Sequence, residues 1–142
     1  MKPVLVKVQS IQRNLEGKEI KLELISEGKF YIRNDIRYIV YEESELTEMK
    51  GVTTVIKILP DDTVILLRLG KVQQRQMYKE GKSFRSQYKT PFGNLSVTMK
   101  TYECNVDLQD GIGTILLGYD VQLEGLASNY TQLTITVQED HS

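Results

Sequence analysis

Between Val64 and Val106 four candidate strands follow one another through three short turns, at Gly70-Lys71, Glu80-Gly81 and Thr90-Pro91-Phe92-Gly93. Side chains alternate faces along a strand, so each turn length fixes which residues of one strand share a face with those of the next. Two-residue turns at Gly70-Lys71 and Glu80-Gly81 set Arg68 beside Gln73, Leu66 beside Arg75 and Val64 beside Met77. They then set Met77 beside Phe84, Arg75 beside Ser86 and Gln73 beside Tyr88. A four-residue turn from Thr90 to Gly93 brings Tyr88, Ser86 and Phe84 beside Leu95, Val97 and Met99, the apolar face of a strand whose Ser96, Thr98 and Lys100 are polar. The face expected to look inward therefore carries Val64 and Leu66 together with Arg68, Gln73, Arg75, Ser86 and Tyr88, a polar set for a core.

The rest of the chain reads in the same period. Val4, Val6 and Val8 alternate with polar residues, the Asn14-Leu15-Glu16-Gly17 cluster turns the chain, and Ile20, Leu22 and Leu24 answer on the second strand. Gly28 interrupts the alternation and is expected to form a bulge that shifts the phase before Phe30. A tight turn at Asn34-Asp35 leads to a strand with Tyr38 and Val40 on one face and Ile39 and Tyr41 on the other. Glu42 to Lys50 is too short and acidic to be more than a turn or loop. Pro60-Asp61-Asp62 then makes a loop centred on Asp61, pairing Ile58 with Val64, Ile56 with Leu66 and Thr54 with Arg68. Past Asp110-Gly111, Ile115 to Leu123 and Leu133 to Val137 keep alternate residues apolar. No crossover helices separate the strands, so the fold class is all-β: one domain over residues 1–142, an antiparallel meander of about 8–10 strands closed into a barrel to remove its edges.

Composition excludes several classes of function. A net charge of −1 with 26% charged and 40% hydrophobic residues fits a soluble globular chain. No run is long enough for a membrane span, and Lys7 comes too early for a signal peptide, so a cytoplasmic location without membrane attachment is expected. One cysteine, Cys104, and one histidine, His141, leave zinc sites and histidine-based triads without parts, and no metal or other cofactor is expected. The charge is placed unevenly. Residues 51 to 100 hold 9 basic and 3 acidic groups, whereas residues 101 to 142 hold 7 acidic groups and no Lys or Arg, as if basic and acidic strands lay side by side.

Tyr41-Glu42-Glu43, Gly51-Val52-Thr53-Thr54, Arg68-Leu69-Gly70 and Tyr88-Lys89-Thr90-Pro91-Phe92-Gly93, in that order, resemble the YwiB-like family of small bacterial proteins, mainly from Gram-positive species. The turn Thr90, Pro91, Phe92, Gly93 is the most specific piece. The resemblance implies a calycin-like, lipocalin-type β-barrel and carries no reaction with it.

Two arginines facing a barrel interior demand partners, because an unpaired buried charge costs several kcal/mol. Glu43 and Glu103 are candidate partners, as is the anionic group of a ligand. Arg68, Gln73, Arg75, Ser86, Tyr88 and Thr54 thus form the candidate ligand-binding end of the barrel, suited to a small anionic or amphiphilic molecule such as a fatty acid or smaller carboxylate. Against this stands a solid core with the arginines reaching to the rim. Other readings are a homodimer through the outward stripe Ile65, Leu67 and Leu69, and, less favoured, binding of single-stranded nucleic acid or an acidic partner by the basic outer face of residues 71–100. There Lys71, Arg85, Lys89 and Lys100 run beside Tyr78 and Tyr102. No residue is assigned a catalytic role: Glu42, Glu43 and Glu45 have no spacing that demands a reaction, and Cys104, two residues past Tyr102, is expected to face outward. The chain reads as a binder rather than an enzyme.

Overall fold

Ten strands cover most of the chain: β1 (Lys2–Arg13), β2 (Glu19–Arg33), β3 (Ile36–Glu42), β4 (Thr53–Ile58), β5 (Val64–Leu69), β6 (Gln73–Tyr78), β7 (Ser83–Thr90), β8 (Gly93–Gln109), β9 (Ile112–Leu123) and β10 (Ser128–Glu139). The computed structural model describes residues 1–14, 16–42, 52–70, 73–91, 93–123 and 128–140, with the backbone alone for 88–90. Each strand pairs antiparallel with the next, and β1 pairs with β10, closing the sheet into a barrel. Among the described residues there is no helix, and so none long and apolar enough to cross a membrane.

The alternating pattern produces the core directly. Val4, Val6, Ile39, Ile56, Ile58, Val64, Leu66, Val97, Met99, Ile115, Leu117, Ile135 and Val137 all point inward and are buried. Removing each such side chain from water contributes about 1.5–3 kcal/mol. At one end of the barrel, the hairpin end, the connections are tight. Asn34 and Asp35 both have positive φ (53° and 66°) between paired Arg33 and Ile36, and Asp110 and Gly111 (52° and 81°) lie between paired Gln109 and Ile112. This is the two-residue turn whose twist matches that of the flanking strands. At Gly111 a Cβ would run into the Phe30 ring, which covers this end of the core.

The β4–β5 loop is centred on Asp61 and gives the expected partners, Ile58 with Val64, Ile56 with Leu66 and Thr54 with Arg68. Asp61 Oδ1 accepts from the Thr63 amide at 3.0 Å, and Asp61 Oδ2 accepts from Lys79 Nζ at 3.1 Å. The β7–β8 register also follows the sequence reading, with Tyr88, Ser86 and Phe84 opposite Leu95, Val97 and Met99.

Three expectations fail. β6 is displaced by one residue: Arg68 pairs with Gln74, Leu66 with Gln76 and Val64 with Tyr78. The β5–β6 connection holds three residues, 70–72, in place of two, so Gln73, Arg75 and Met77 turn outward and Gln74, Gln76 and Tyr78 turn in. Across β6–β7 the partners are Gln73 with Lys89 and Gln74 with Tyr88, again one residue from the expected pairing. Here the turn is closed by the Lys82 amide on the Lys79 carbonyl, and the Gly81 amide reaches past β7 to the Thr101 carbonyl of β8.

The second failure is at Gly28, where no bulge occurs and the β1–β2 ladder runs through without a shift. Gly28 faces inward between Val6 and Tyr41, and a Cβ there would lie 2.7 Å from the Val40 carbonyl oxygen. The glycine is needed for close approach, not for a change of phase. The third is a bulge the sequence reading omitted, between Thr101 and Glu103, after which Cys104, Val106 and Leu108 face the core side.

Gly28→Ala is expected to lower stability by about 1–3 kcal/mol, the usual cost of overpacking a filled site. An unchanged urea midpoint and slope would show that the backbone can yield there. Asp61 supplies a second check. Hydrogen bonds from Thr63 and then Lys79 hold its carboxyl down from 3.8 to about 2. A depressed folded pKa stabilises the fold above the unfolded value, and the benefit is lost as pH falls from about 4 to about 2. Asp61→Asn should therefore lower Tm at neutral pH, with the gap to the parent protein closing by about pH 2. A gap independent of pH would contradict this account.

Candidate functional site

The barrel interior changes character along its axis. Toward the end opposite the tight hairpins, the inward positions become Ser10 and Gln12 on β1, Arg68 on β5, Gln74 and Gln76 on β6, and Thr131 on β10. With Val8, Leu22, Leu24, Leu66, Val121, Leu133 and the phenols of Tyr41, Tyr78 and Tyr119, they enclose a cavity of about 290 Å³. Its two sides differ. The β5–β6 wall carries Arg68, Gln74 and Gln76, whereas the facing wall is aliphatic at Val8, Leu22, Leu24, Val121 and Leu133 and polar at its outer rim, at Ser10, Gln12 and Thr131. At the mouth, inward-facing Leu22 and Leu95 are 49% and 43% exposed, because the strands that carry them run past the packed core.

The polar wall is internally bonded. Arg68 Nη1 donates to Gln74 Oε1 at 2.6 Å, and the Tyr78 hydroxyl donates to Gln76 Oε1 at 2.7 Å. Tyr78 and Tyr119 pack with ring centroids 4.8 Å apart. Burial, and next the neighbouring Tyr119, push the Tyr78 phenol well above its ordinary range. Burial also raises the Tyr119 phenol, against the pull of the nearby Tyr78 hydroxyl and Arg68. Both phenols therefore stay neutral. The Thr131 hydroxyl is buried and has no hydrogen-bond partner among the described residues. Such a group has a cost unless water or a ligand meets it. No Asp or Glu lines the cavity among the described residues.

Of the residues expected at the polar end of the interior, some lie at this cavity and others do not. Arg68 lines the cavity, and Thr54, fully buried, is its cross-strand partner on β4. Ser86 faces the interior opposite Val97 and is half-buried, outside the cavity lining. The Tyr88 backbone pairs with Gln74 and Leu95, and its side chain lies outside the described residues. Gln73 and Arg75 are not inside: they are exposed on the outer face, where they line a depression with Leu67, Leu69 and Gln87. The one-residue displacement of β6 is the cause, and it keeps the Arg75 charge in water. Gln74 and Gln76 take the inward places.

The expected charge partners and surfaces change as well. Glu103 sits in the β8 bulge opposite Gly118, on the outer face and away from Arg68, while Glu43 lies outside the described residues. Of the turn Thr90, Pro91, Phe92, Gly93, the ends Thr90 and Gly93 pair with each other, Pro91 is exposed, and Phe92 lies outside the described residues. In the outward stripe Ile65 is only 7% exposed, Leu67 is half-buried and Leu69 is open to solvent, so the exposed apolar surface is not continuous. Tyr78, expected beside the outer lysines, is wholly buried. Tyr102 is outside, with its hydroxyl on Asp120 at 2.7 Å and Lys100 Nζ 5.3 Å from its ring centroid. The described residues contain no metal-holding group of three or more His, Cys, Asp and Glu.

Cys104 faces the core side after the bulge, its thiol 3.6 Å from the Asp62 carbonyl oxygen and 3.7 Å from that of Tyr78. Burial, followed by the carboxylates of Asp62 and Glu80, pushes it up to about 11. At pH 7 the thiol stays protonated, so a disulfide reagent should react far more slowly with the folded protein than with the urea-unfolded chain. Equal rates would contradict the placement.

The family model described as "Domain of unknown function (DUF1934)" matches residues 6–135. The uncharacterized beta-barrel protein YwiB of Bacillus subtilis (strain 168) is 27% identical over 137 residues, spanning 96% of this chain and 93% of its own length. The crystal structure of ywiB protein from Bacillus subtilis matches with a TM-score of 0.81 at 23% identity, covering 98% of this chain and 92% of that one. These agree with the resemblance carried by the turn motifs, and the structural match shows a shared fold.

Proposed function

The chain belongs to the DUF1934 family, a membership that assigns no reaction, and on that footing we propose that the protein is a non-catalytic binder of a small amphiphilic anion. The ligand would be held in the mouth of the barrel, in the manner of calycin-like proteins. One observation carries the reading: a cavity with a guanidinium on one wall, aliphatic side chains on the other, and no acid in its described lining. Such a lining rewards a molecule with one charged and one apolar end. Arg68 lies where an anion can meet charge-assisted donors away from bulk water.

Size narrows the class. At about 30 Å³ per water-sized group, the 290 Å³ cavity has room for about ten. A compact acid fits, whereas a long acyl chain would have to run out past Leu22 and Leu95. Among the described residues the lining holds no Cys, His, Lys, Asp or Glu to act as nucleophile or acid–base pair, which favours binding over turnover.

Native mass spectrometry of the protein purified from its own cells is expected to show a bound species of low mass, released on denaturation. Calorimetry with hexanoate should give saturable binding, and Arg68→Met should weaken it by about ten- to a hundredfold, equivalent to about 1.5–3 kcal/mol for a hydrogen bond to a charged group. No captured molecule together with no heat from hexanoate would end this reading.

A further inference from the structure

The amides of the two glutamines of β6 are engaged within the protein, that of Gln74 in a fixed orientation, and this says more about the head group than the charge of Arg68 does. A guanidinium can only donate, so the 2.6 Å contact from Arg68 Nη1 fixes the oxygen of Gln74, and not its nitrogen, toward Arg68. The Gln76 oxygen is occupied by the Tyr78 hydroxyl at 2.7 Å. In both amides the acceptor is used within the protein. The two NH₂ groups have no acceptor among the described residues, and both side chains line the cavity. Gln74 and Gln76 stand two residues apart on one strand and so share a face.

We propose that this wall selects a carboxylate head group over a neutral one of the same shape, with Gln74 as the specificity-determining residue and Arg68 holding it in register. The inference rests on the proposed binding of an anion and goes further: the wall presents N–H donors, so a ligand head group that is all acceptor satisfies it. A primary amide sets its own donors against those of the protein. A site built around one hydrogen-bonding polarity rejects an isostere of the opposite polarity, because buried groups on both sides go unpaired. The hydrocarbon part then lies against Leu22, Leu24 and Leu133, on the opposite side of the cavity.

The test compares butanoate, hexanoate and benzoate with their primary amides by calorimetry on the full chain, using wild type, Gln74→Leu and Gln74→Glu. Wild type is expected to bind each acid about ten- to a hundredfold more tightly than its amide. Gln74→Leu should shrink that ratio while leaving apolar contact in place. Gln74→Glu, whose carboxylate occupies Arg68 and repels the ligand, should abolish acid binding. If wild type binds neither acids nor amides, the anion-binding reading itself fails. If it binds acids and amides equally, or if Gln74→Glu retains acid binding, the cavity is a binding site but its polarity is not set by Gln74, and the inference is overturned. The acid-to-amide ratio of the wild type needs no variant to fold.

Discussion

The pairing of the first strand with the last holds this molecule together. Ten consecutive partners, from Val4 with Glu139 to Arg13 with Tyr130, join β1 to β10, and the same β1 is paired along its whole length with β2 on its other side. A ten-stranded meander without that ladder would present two long edges, each a row of unpaired amides and carbonyls open to other chains. Closure also makes an interior, since it forces every second side chain of every strand toward a common axis. The weakest seam is elsewhere. Among the described residues β6 and β7 share two partner pairs, near their cavity ends, and toward the hairpin end the β6–β7 turn bonds to β8 at Thr101.

An axis shared by ten strands cannot be filled evenly. The hairpin end is closed by short turns and by Phe30, Ile58, Val64, Met99 and Val137, all buried. At the other end the inward positions of β5 and β6 are taken by an arginine and two glutamines, which do not pack like aliphatic residues and leave space between themselves and β1, β2 and β10. The cavity is therefore a product of the sequence on two strands. β6 also carries the two cross-strand registers the turns left weakly specified, because a strand that is polar on both faces gains little from choosing either.

This explains which parts of the fold were legible. Where one face was apolar and the other polar, as in Val97 and Met99 against Thr98 and Lys100, parity alone fixed what is buried, whereas on β3, with apolar residues on both faces, it did not. At β6 the alternatives were Gln73, Arg75 and Met77 or Gln74, Gln76 and Tyr78, and hydropathy does not separate them. Turn length alone separates them, and at both turns flanking β6 the register differs by one residue from the expected one. Because β6 moved relative to both neighbours together, β7 returned to its expected phase and the two errors cancelled. Charge was the better guide: neutral amides enter an interior at lower cost than the guanidinium of Arg75. A second signal was also present. The apolar parity of β8 passes from Leu95, Val97 and Met99 to Cys104, Val106 and Leu108, a change from odd to even positions that requires a bulge between them. Arg68, the site residue that sequence placed inside, was legible because its register came from the Asp61 loop, whose chemistry is unambiguous.

The composition of the polar wall argues for a role beyond packing. Aliphatic residues at positions 74 and 76 would fill the space and remove two groups that must find partners, so a barrel selected for stability alone gains nothing from keeping them. What they add is preorganisation. Each glutamine oxygen is already held, by Arg68 or by Tyr78, so the nitrogens are aimed before anything arrives and little side-chain entropy remains to be lost on binding. The buried Thr131 hydroxyl on β10 adds a further polar group that the fold leaves unpaired among the described residues. Water in the cavity can meet these groups in either sense, donor or acceptor. A carboxylate meets the amides in only one, and its hydrocarbon displaces the remaining water from the aliphatic wall, so polarity and the hydrophobic effect favour the same occupant in the same orientation.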